Sequence, residues 1–341
     1  MVGSNSILYF ERMFFMIKTV NNATSPVEHA LAMGIDMPLS PFGLRENEKA
    51  VPVVIERDNG KFTSPYEAEF LVSVGIIGED EIHLLEVVNN FVVISLNQLH
   101  SALNLEGIDI TRNKLISNVK KLIKYRFLQA VRFENGINTK SGYILALDNN
   151  GSLLLRSRHR DDGVHVRFVG YFKSMDAYKL KKNLAANQLV LNLFGNNGVQ
   201  ISDFCKGQLL KDSHDIDRTN VIRSECRFTY SDNDCFVESI RRNPEWEDKL
   251  SKKLGYYHDL FNLPEGRLNI RTENPLLILI AEDEFHCEEV MRIASEAKHR
   301  NIAVTCDKFT YKLTPDNAFF KPQEGKKDSL FSKLKLLLKA S

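Results

Sequence analysis

A basic stretch rich in hydrogen-bonding side chains gives the sequence its clearest indication of chemistry. Residues 111–133 contain seven Lys and Arg and no Asp or Glu, although the whole chain has a net charge of only +1. Apolar residues recur at helical spacing from Leu115 to Ile123 and predict an amphipathic helix. The opposite face would present amide, hydroxyl and ammonium groups, which are the groups that bind base edges and phosphates. The stretch therefore predicts a helix that binds DNA.

The elements around this stretch predict how it is positioned. A helix is predicted at 80–91, and a second begins at Ser95, where Ser95 and Gln98 form a capping box. Asp109 or Thr111 would cap the basic third helix. Residues 128–147 read as two strands around an Asn-Gly turn. Three helices followed by a hairpin is the order of a winged helix-turn-helix, in which the third helix lies in the major groove and the hairpin contacts the backbone.

Double-stranded DNA is accordingly the predicted partner of this part of the chain. A winged helix used only for protein contacts is the alternative. The predicted DNA-binding residues are Arg112, Asn113, Lys114, Ser117, Asn118, Lys121, Lys124, Arg132 and Lys140.

The second half of the sequence changes to an α/β pattern. Its elements follow the order of a restriction-endonuclease-like core, in which an acid on one strand and an acid-x-Lys on the next hold a divalent metal. The predicted elements are a helix (176–195), two strands (221–230 and 235–242), a helix from Pro244, a buried strand (276–282), a helix (283–300) and a last strand (301–309).

Two carboxylates fall where such a site would need them. Glu225 is expected on the first strand and Glu238 on the second, but the position two residues after Glu238 is Ile240 rather than Lys. Ile cannot polarise water, and Arg241 or Arg242 could replace the Lys only if the strand were bulged. We therefore expect a fold without the chemistry: no catalytic residue, no metal and no cofactor. The alternative is a nuclease that uses Glu225 and Glu238 with Mg²⁺.

Several of these features together resemble the replication-relaxation family of plasmids and integrative elements. They are the winged helix, the Phe-Val-Glu end of the strand pair (236–238), the pattern W-x-x-K-L-x-x-K-L-x-x-Y (246–257) and the terminal strand–helix–strand. The resemblance covers roughly 80–310. It implies a DNA-binding accessory protein for replication or mobilisation. The predicted function is therefore sequence- or structure-dependent DNA binding, either in that accessory role or as a transcriptional regulator. The chain departs from the family at Ser224-Glu225, where a typical member has Pro-Asp.

The predicted fold class is α+β, an N-terminal winged helix-turn-helix followed by a catalytically degenerate α/β nuclease-like domain. No apolar segment is long enough to span a membrane, the five dispersed cysteines fit reduced packing residues, and no nucleotide-binding motif indicates a small-molecule substrate. We expect a cytoplasmic protein, and a homodimer is left open.

The predicted parts are an irregular arm (1–78), the winged helix (79–150), a linker (151–175), the nuclease-like domain (176–315) and a linker with a short basic amphipathic helix (316–341).

Two smaller expectations concern polar residues of the second half. Glu282, Asp283 and Glu284 follow a buried strand and are expected to cap the next helix rather than to form a ligand site. His286 and His299 are expected at the surface.

Overall fold

The computed structural model has nine helices and eleven strands in three sheets within the part of the chain that it describes. This α+β architecture agrees with the predicted class. The described residues are 25–27, 30, 40, 42, 43, 45, 48–53, 55, 65–134, 142–160, 166, 172, 175–195, 201–214, 221–230, 233–270, 275–297, 301–312 and 318–322.

The first half combines five helices with a four-stranded antiparallel sheet in the order β1-β3-β4-β2. Its core is formed by the apolar faces of the helices packed on one side of that sheet. The elements are β1 (Lys49–Pro52), α1 (Pro65–Ser73), α2 (Glu79–Phe91), β2 (Ile94–Ser95), α3 (Leu96–Leu105), α4 (Arg112–Lys124), β3 (Leu128–Glu134), β4 (Ile144–Leu147) and α5 (Asn149–Arg158).

Local sequence signals fix the helix starts in this half. The Ser95 side chain accepts a hydrogen bond from the Gln98 backbone N–H, and the Gln98 side chain accepts one from the Ser95 N–H, which confirms the capping box. Thr111 caps α4 by accepting a bond from the Lys114 N–H. The strands on either side of the predicted turn pair in antiparallel register, whereas residues 135–141 of the turn lie outside the described residues.

Two predictions about irregular segments were wrong. Residues 65–73 of the predicted arm form α1, and residues 149–158, mostly within the predicted linker, form α5. Asp148 caps α5 through the N–H of Asn149, so a composition typical of a turn begins a helix here. The strand predicted at 51–56 overlaps β1.

The second half is built on a mixed sheet in the order β11-β10-β9-β8-β5. Strands β9, β10 and β11 are parallel, and β8 and β5 continue the sheet in antiparallel pairing. The elements are α6 (Ala177–Phe194), β5 (Ile201–Lys206), β6 (Leu209–Lys211), β7 (Val221–Arg223), β8 (Cys226–Tyr230), β9 (Asn233–Ser239), α7 (Trp246–Phe261), β10 (Leu276–Ala281), α8 (Glu284–Glu296), β11 (Ile302–Cys306) and α9 (Asp307–Lys312).

The strand predicted at 221–230 is divided in the structure. Strand β7 pairs with β6 in a separate two-stranded sheet, and only β8 belongs to the five-stranded sheet. Glu225 therefore lies in the break between β7 and β8 rather than on a strand. Strands β5 and β6 were not predicted, because their short sequences carry little period-two alternation.

Helix α6 packs against both halves. Leu184 and Ala185 of α6 pack with Phe133 and Ile144 of the first sheet. Leu189 and other residues nearer the end of α6 pack against the five-stranded sheet. Two polar contacts support this packing: Gln98 Nε2 donates to the Leu184 carbonyl at 2.7 Å, and Asn187 Nδ2 donates to the Val93 carbonyl at 2.5 Å. The chain thus shares one helix between two cores.

None of the described helices is both long enough and apolar enough to cross a bilayer. All five cysteines have free thiols, and four of them are buried, as expected for packing residues.

Candidate functional site

Helix α4 buries the predicted apolar stripe and presents polar side chains to solvent. Leu115, Val119, Leu122 and Ile123 are buried. Arg112, Asn113, Lys114 and Ser117 are exposed, whereas Asn118, Lys121 and Lys124 are partly exposed.

The predicted contacts outside α4 are less complete. Arg132 lies on β3 and is paired with Glu134 at 2.9 Å. Lys140 lies outside the described residues.

Acids of α2 contact two of the predicted lysines. Lys114 Nζ lies 3.2 Å from Asp80 Oδ2, and Lys121 Nζ lies 2.8 Å from Glu81 Oε1. The charge that these lysines offer to a phosphate is therefore partly compensated. Sequence reasoning missed this, although the acidic run at the start of α2 was a visible signal.

Lys120 was not among the predicted DNA-binding residues, yet it is exposed on α4. Together with Arg112, Asn113 and Ser117 it forms a polar surface of α4, which we call the outer face. Among the described residues, no acid is paired with Arg112 or Lys120.

The two carboxylates of the second half lie side by side. The Glu225 N–H donates to the Val237 carbonyl at 3.0 Å, which sets Glu225 beside Glu238 on β9. Ile240 follows the end of β9 and is buried. Neither following arginine replaces a catalytic Lys, because Arg241 pairs with Asp307 at 2.9 Å and Arg242 pairs with Asp283 at 2.5 Å.

Lysines from two helices contact these carboxylates. Lys182 Nζ of α6 lies 2.6 Å from Glu225, and Lys253 Nζ of α7 lies 2.6 Å from Glu238, which also accepts a 2.6 Å bond from the Tyr257 hydroxyl. Sequence reasoning considered only lysines close to Glu238 in the chain. It missed these two because tertiary packing brings them to the site.

The ionisation of this cluster follows from its charges. Burial by itself raises the pKa of Glu225, but the ammonium groups of Lys182 and Lys253 outweigh burial and leave that pKa below its usual value. Burial likewise opposes the charged form of Lys182, yet the two glutamates raise its pKa above the usual value. Both partners of the Lys182–Glu225 pair are therefore charged at neutral pH.

A cavity of about 270 Å³ opens at this cluster. It lies between the first turns of α6, the end of β5, the break between β7 and β8, and α7. Its lining residues are Val92, Tyr178, Lys179, Lys182, Asn183, Lys206, Gly207, Arg223, Ser224, Glu225 and Lys253.

The two carboxylates are already engaged by other groups. A divalent metal ion needs several oxygen ligands, whereas here Glu225 contacts Lys182, and Glu238 contacts Lys253 and Tyr257. No cluster of three or more His, Cys, Asp and Glu with metal-binding geometry occurs among the described residues. The arrangement is that of a basic cavity.

Of the three acids after β10, Asp283 caps the next helix as predicted, whereas Glu282 accepts a bond from the Arg242 N–H and Glu284 pairs with Lys308. The Asp283 side chain caps α8 by accepting a bond from the His286 N–H at 2.8 Å. His286 is fully buried, so the prediction of a surface residue was wrong. Its Nδ1 accepts a bond from the Glu282 N–H at 3.1 Å, which requires the unprotonated form of that nitrogen. His299 lies outside the described residues.

The chain matches no protein-family model, no curated protein and no solved structure.

Proposed function

We propose that the protein binds double-stranded DNA, with α4 as the recognition helix of a winged helix-turn-helix and β3–β4 as the wing. The observation that carries the proposal is the outer face of α4: a capped helix with no acidic residue presents Arg112, Asn113, Ser117 and Lys120 to solvent. Arg and Lys bind phosphates and guanine edges, and Asn binds adenine edges. The antiparallel pair β3–β4 follows directly and supports the same assignment.

The second half supports a scaffold role in this proposal. A mixed sheet that includes a strand–helix–strand unit, preceded by a helix, is consistent with a restriction-endonuclease-like domain, and lysines compensate the two carboxylates that a nuclease would use for metal. We therefore infer a DNA-binding accessory factor of replication or mobilisation, or a transcriptional regulator, related to the replication-relaxation family. The resemblance of sequence patterns is the support for that relationship.

The proposal predicts that the double substitution Arg112→Ala/Lys120→Ala weakens DNA binding. Each side chain that pairs with a phosphate releases a counterion, so removing two should make the slope of log K against log salt shallower by about two units. Selection from a random duplex pool would supply the target, and fluorescence anisotropy at several salt concentrations would measure the slope.

The matched control is Lys249→Ala, which removes an exposed lysine of α7 that pairs only weakly with Glu245, at 3.7 Å. Wild-type affinity and slope are expected for this variant. If wild-type protein binds no duplex with salt dependence, or if the Arg112/Lys120 variant binds as wild type does, α4 is not a DNA-binding helix. A protein-interaction role for the winged helix would then be favoured.

A further inference from the structure

The cavity beside Glu225 concentrates positive charge in a partly enclosed space. Five cationic side chains line it. Two carboxylates partly compensate their charge: Glu225 lines the cavity, and Glu238 pairs with Lys253. Cations thus outnumber carboxylates among the residues described at this place. The five cations are Lys179, Lys182, Lys206, Arg223 and Lys253.

The innermost of these charges are poorly solvated. Lys206 is 3% exposed and donates a 2.8 Å hydrogen bond to Asn187 Oδ1, while the side chain of Lys182 is 15% exposed. Buried ammonium groups have lost most of their hydration, and an anion in the cavity would restore hydrogen-bond acceptors to them. Such an anion would gain charge-assisted hydrogen bonds, which are stronger than neutral ones. The cavity is therefore suited to an anion with two negative charges.

We propose that this cavity binds a phosphoryl group, which receives hydrogen bonds from Lys182, Lys206 and Lys253. A phosphate monoester carries one to two negative charges near neutral pH, which suits the excess of cations, and lysine is a common phosphate ligand. Arg223 and Lys179 are exposed at the rim, where they would attract the anion. The site is separate from the outer face of α4 and does not depend on duplex binding by that helix.

Two sources carry this chemistry, the phosphorylated end of a nucleic-acid strand and free phosphate. The test is isothermal titration calorimetry at low salt with inorganic phosphate, and with a short single strand that has either a 5′-phosphate or a 5′-hydroxyl. Saturable binding of inorganic phosphate or of the 5′-phosphorylated strand is expected. A preference for the 5′-phosphorylated strand over inorganic phosphate assigns the site to strand ends, and the opposite preference assigns it to free phosphate.

Substitutions on either side of the Lys182–Glu225 pair should act in opposite directions. Lys182→Met removes a charge-assisted donor and should weaken phosphate binding at least about tenfold. Glu225→Gln keeps the shape but removes a charge that repels the anion, so it should tighten binding several-fold. If the cavity bound a metal ion instead, Glu225→Gln would weaken binding, because it would remove a ligand.

Two further variants keep the test decisive. Arg223→Ala changes an exposed rim residue without disturbing the buried pair, and it should weaken binding several-fold even if Lys182→Met does not fold. Lys249→Met, one turn before Lys253 on α7, should leave binding unchanged. The proposal is overturned if wild-type protein binds neither inorganic phosphate nor the 5′-phosphorylated strand, or if Glu225→Gln weakens binding. It is also overturned if Lys249→Met weakens binding as much as Arg223→Ala does. Failure of duplex binding by α4 would leave these results unaffected.

Discussion

Asp80 and Glu81 place negative charge next to the helix that we propose to enter the groove. Their contacts with Lys114 and Lys121 compete with any phosphate for the same ammonium groups. DNA binding through these lysines would therefore begin with the separation of two ion pairs. The Lys114–Asp80 pair is exposed and contributes little to stability, whereas Glu81 is only 8% exposed, so its pair with Lys121 is the costlier of the two to separate.

Removing these acids should strengthen DNA binding. The variant Asp80→Asn/Glu81→Gln frees both lysines, so we expect tighter duplex binding and a salt slope steeper by about two units. Fluorescence anisotropy across a salt series measures both quantities. Glu79→Gln is the matched control because Glu79, in the same turn, pairs with Arg158 rather than with α4. An effect of the same size in this control would indicate that the overall charge of the protein, rather than release of the lysines, strengthens binding.

The buried imidazole of His286 makes stability depend on pH. Burial, followed by the nearby charge of Arg242, lowers the pKa of His286 to about 3, and its Nδ1 already accepts a backbone hydrogen bond. The unfolded chain therefore binds a proton below pH ~6.5 that the folded protein does not bind. The free energy of unfolding should fall as pH falls from about 6.5 towards 3, by about 1.4 kcal/mol per unit from this group.

His286→Asn separates this contribution from the others. The Asn amide oxygen can accept the Glu282 N–H in place of Nδ1, but it does not titrate. Urea unfolding at pH 7 and pH 5 should show a smaller loss of stability in the variant than in the wild type. Equal losses in the two proteins would mean that His286 is protonated in the folded state.

Residue types and strand positions predicted part of the site. Glu225 and Glu238 were predicted to lie together because neighbouring strands bring such positions into contact. The lysines that neutralise them come from α6 and α7, and nothing local in the sequence links position 182 or 253 to a strand far along the chain. Long-range pairing of this kind depends on how the helices cross the sheet, which periodicity does not specify.

At the scale of elements, the close approach of α5 to the turn after α4 explains why residues 149–158 are not a linker. A Cβ atom on Gly151 would lie 2.3 Å from the backbone oxygen of Phe127, which is closer than atoms of this kind can approach. Glycine is therefore required where the helix meets that turn. Leu154 and Leu155 then complete the first core.

Two Gly→Ala substitutions should have opposite effects on stability. Gly151→Ala forces α5 away from Phe127 and should lower the free energy of unfolding by about 1–3 kcal/mol. Gly255→Ala is the control at an exposed position of helix α7, where nothing lies near the added methyl group, and it should raise that free energy by about 0.5–1 kcal/mol. Thermal and urea unfolding measure both changes. A stabilising Gly151→Ala would show that α5 does not pack as described.

Elements with strong local signals were predicted, and those without them were not. Capping boxes, apolar stripes and runs of apolar strand residues identified α2, α3, α4, α6, β10 and β11. Helix α5 was missed because Asp-Asn-Asn-Gly is more typical of a turn, and its helical conformation depends on the contact with Phe127. Strand β5 was missed for a similar reason, because its pairing with β8, rather than a pattern in its own sequence, stabilises it.

At the scale of the whole molecule, α6 joins the proposed DNA-binding half to the basic cavity. Asn187 contacts both sides, since its Nδ2 donates to the Val93 carbonyl between α2 and β2 and its Oδ1 accepts from Lys206 of the cavity. Val92, next to it, lines the cavity. The segment between α2 and β2 is therefore connected to the basic cavity through directly bonded residues.

The sharing of α6 also determines how the chain can be divided. A fragment that ends before residue 176 would lack the helix covering Val93, Phe133 and Ile144, and a fragment that begins after residue 195 would lack the helix covering Phe228 and Val237. Each fragment would expose to water a contiguous apolar surface of the sort that promotes self-association. Truncated halves should therefore be poorly soluble, and domain-by-domain dissection would require that α6 be kept with both.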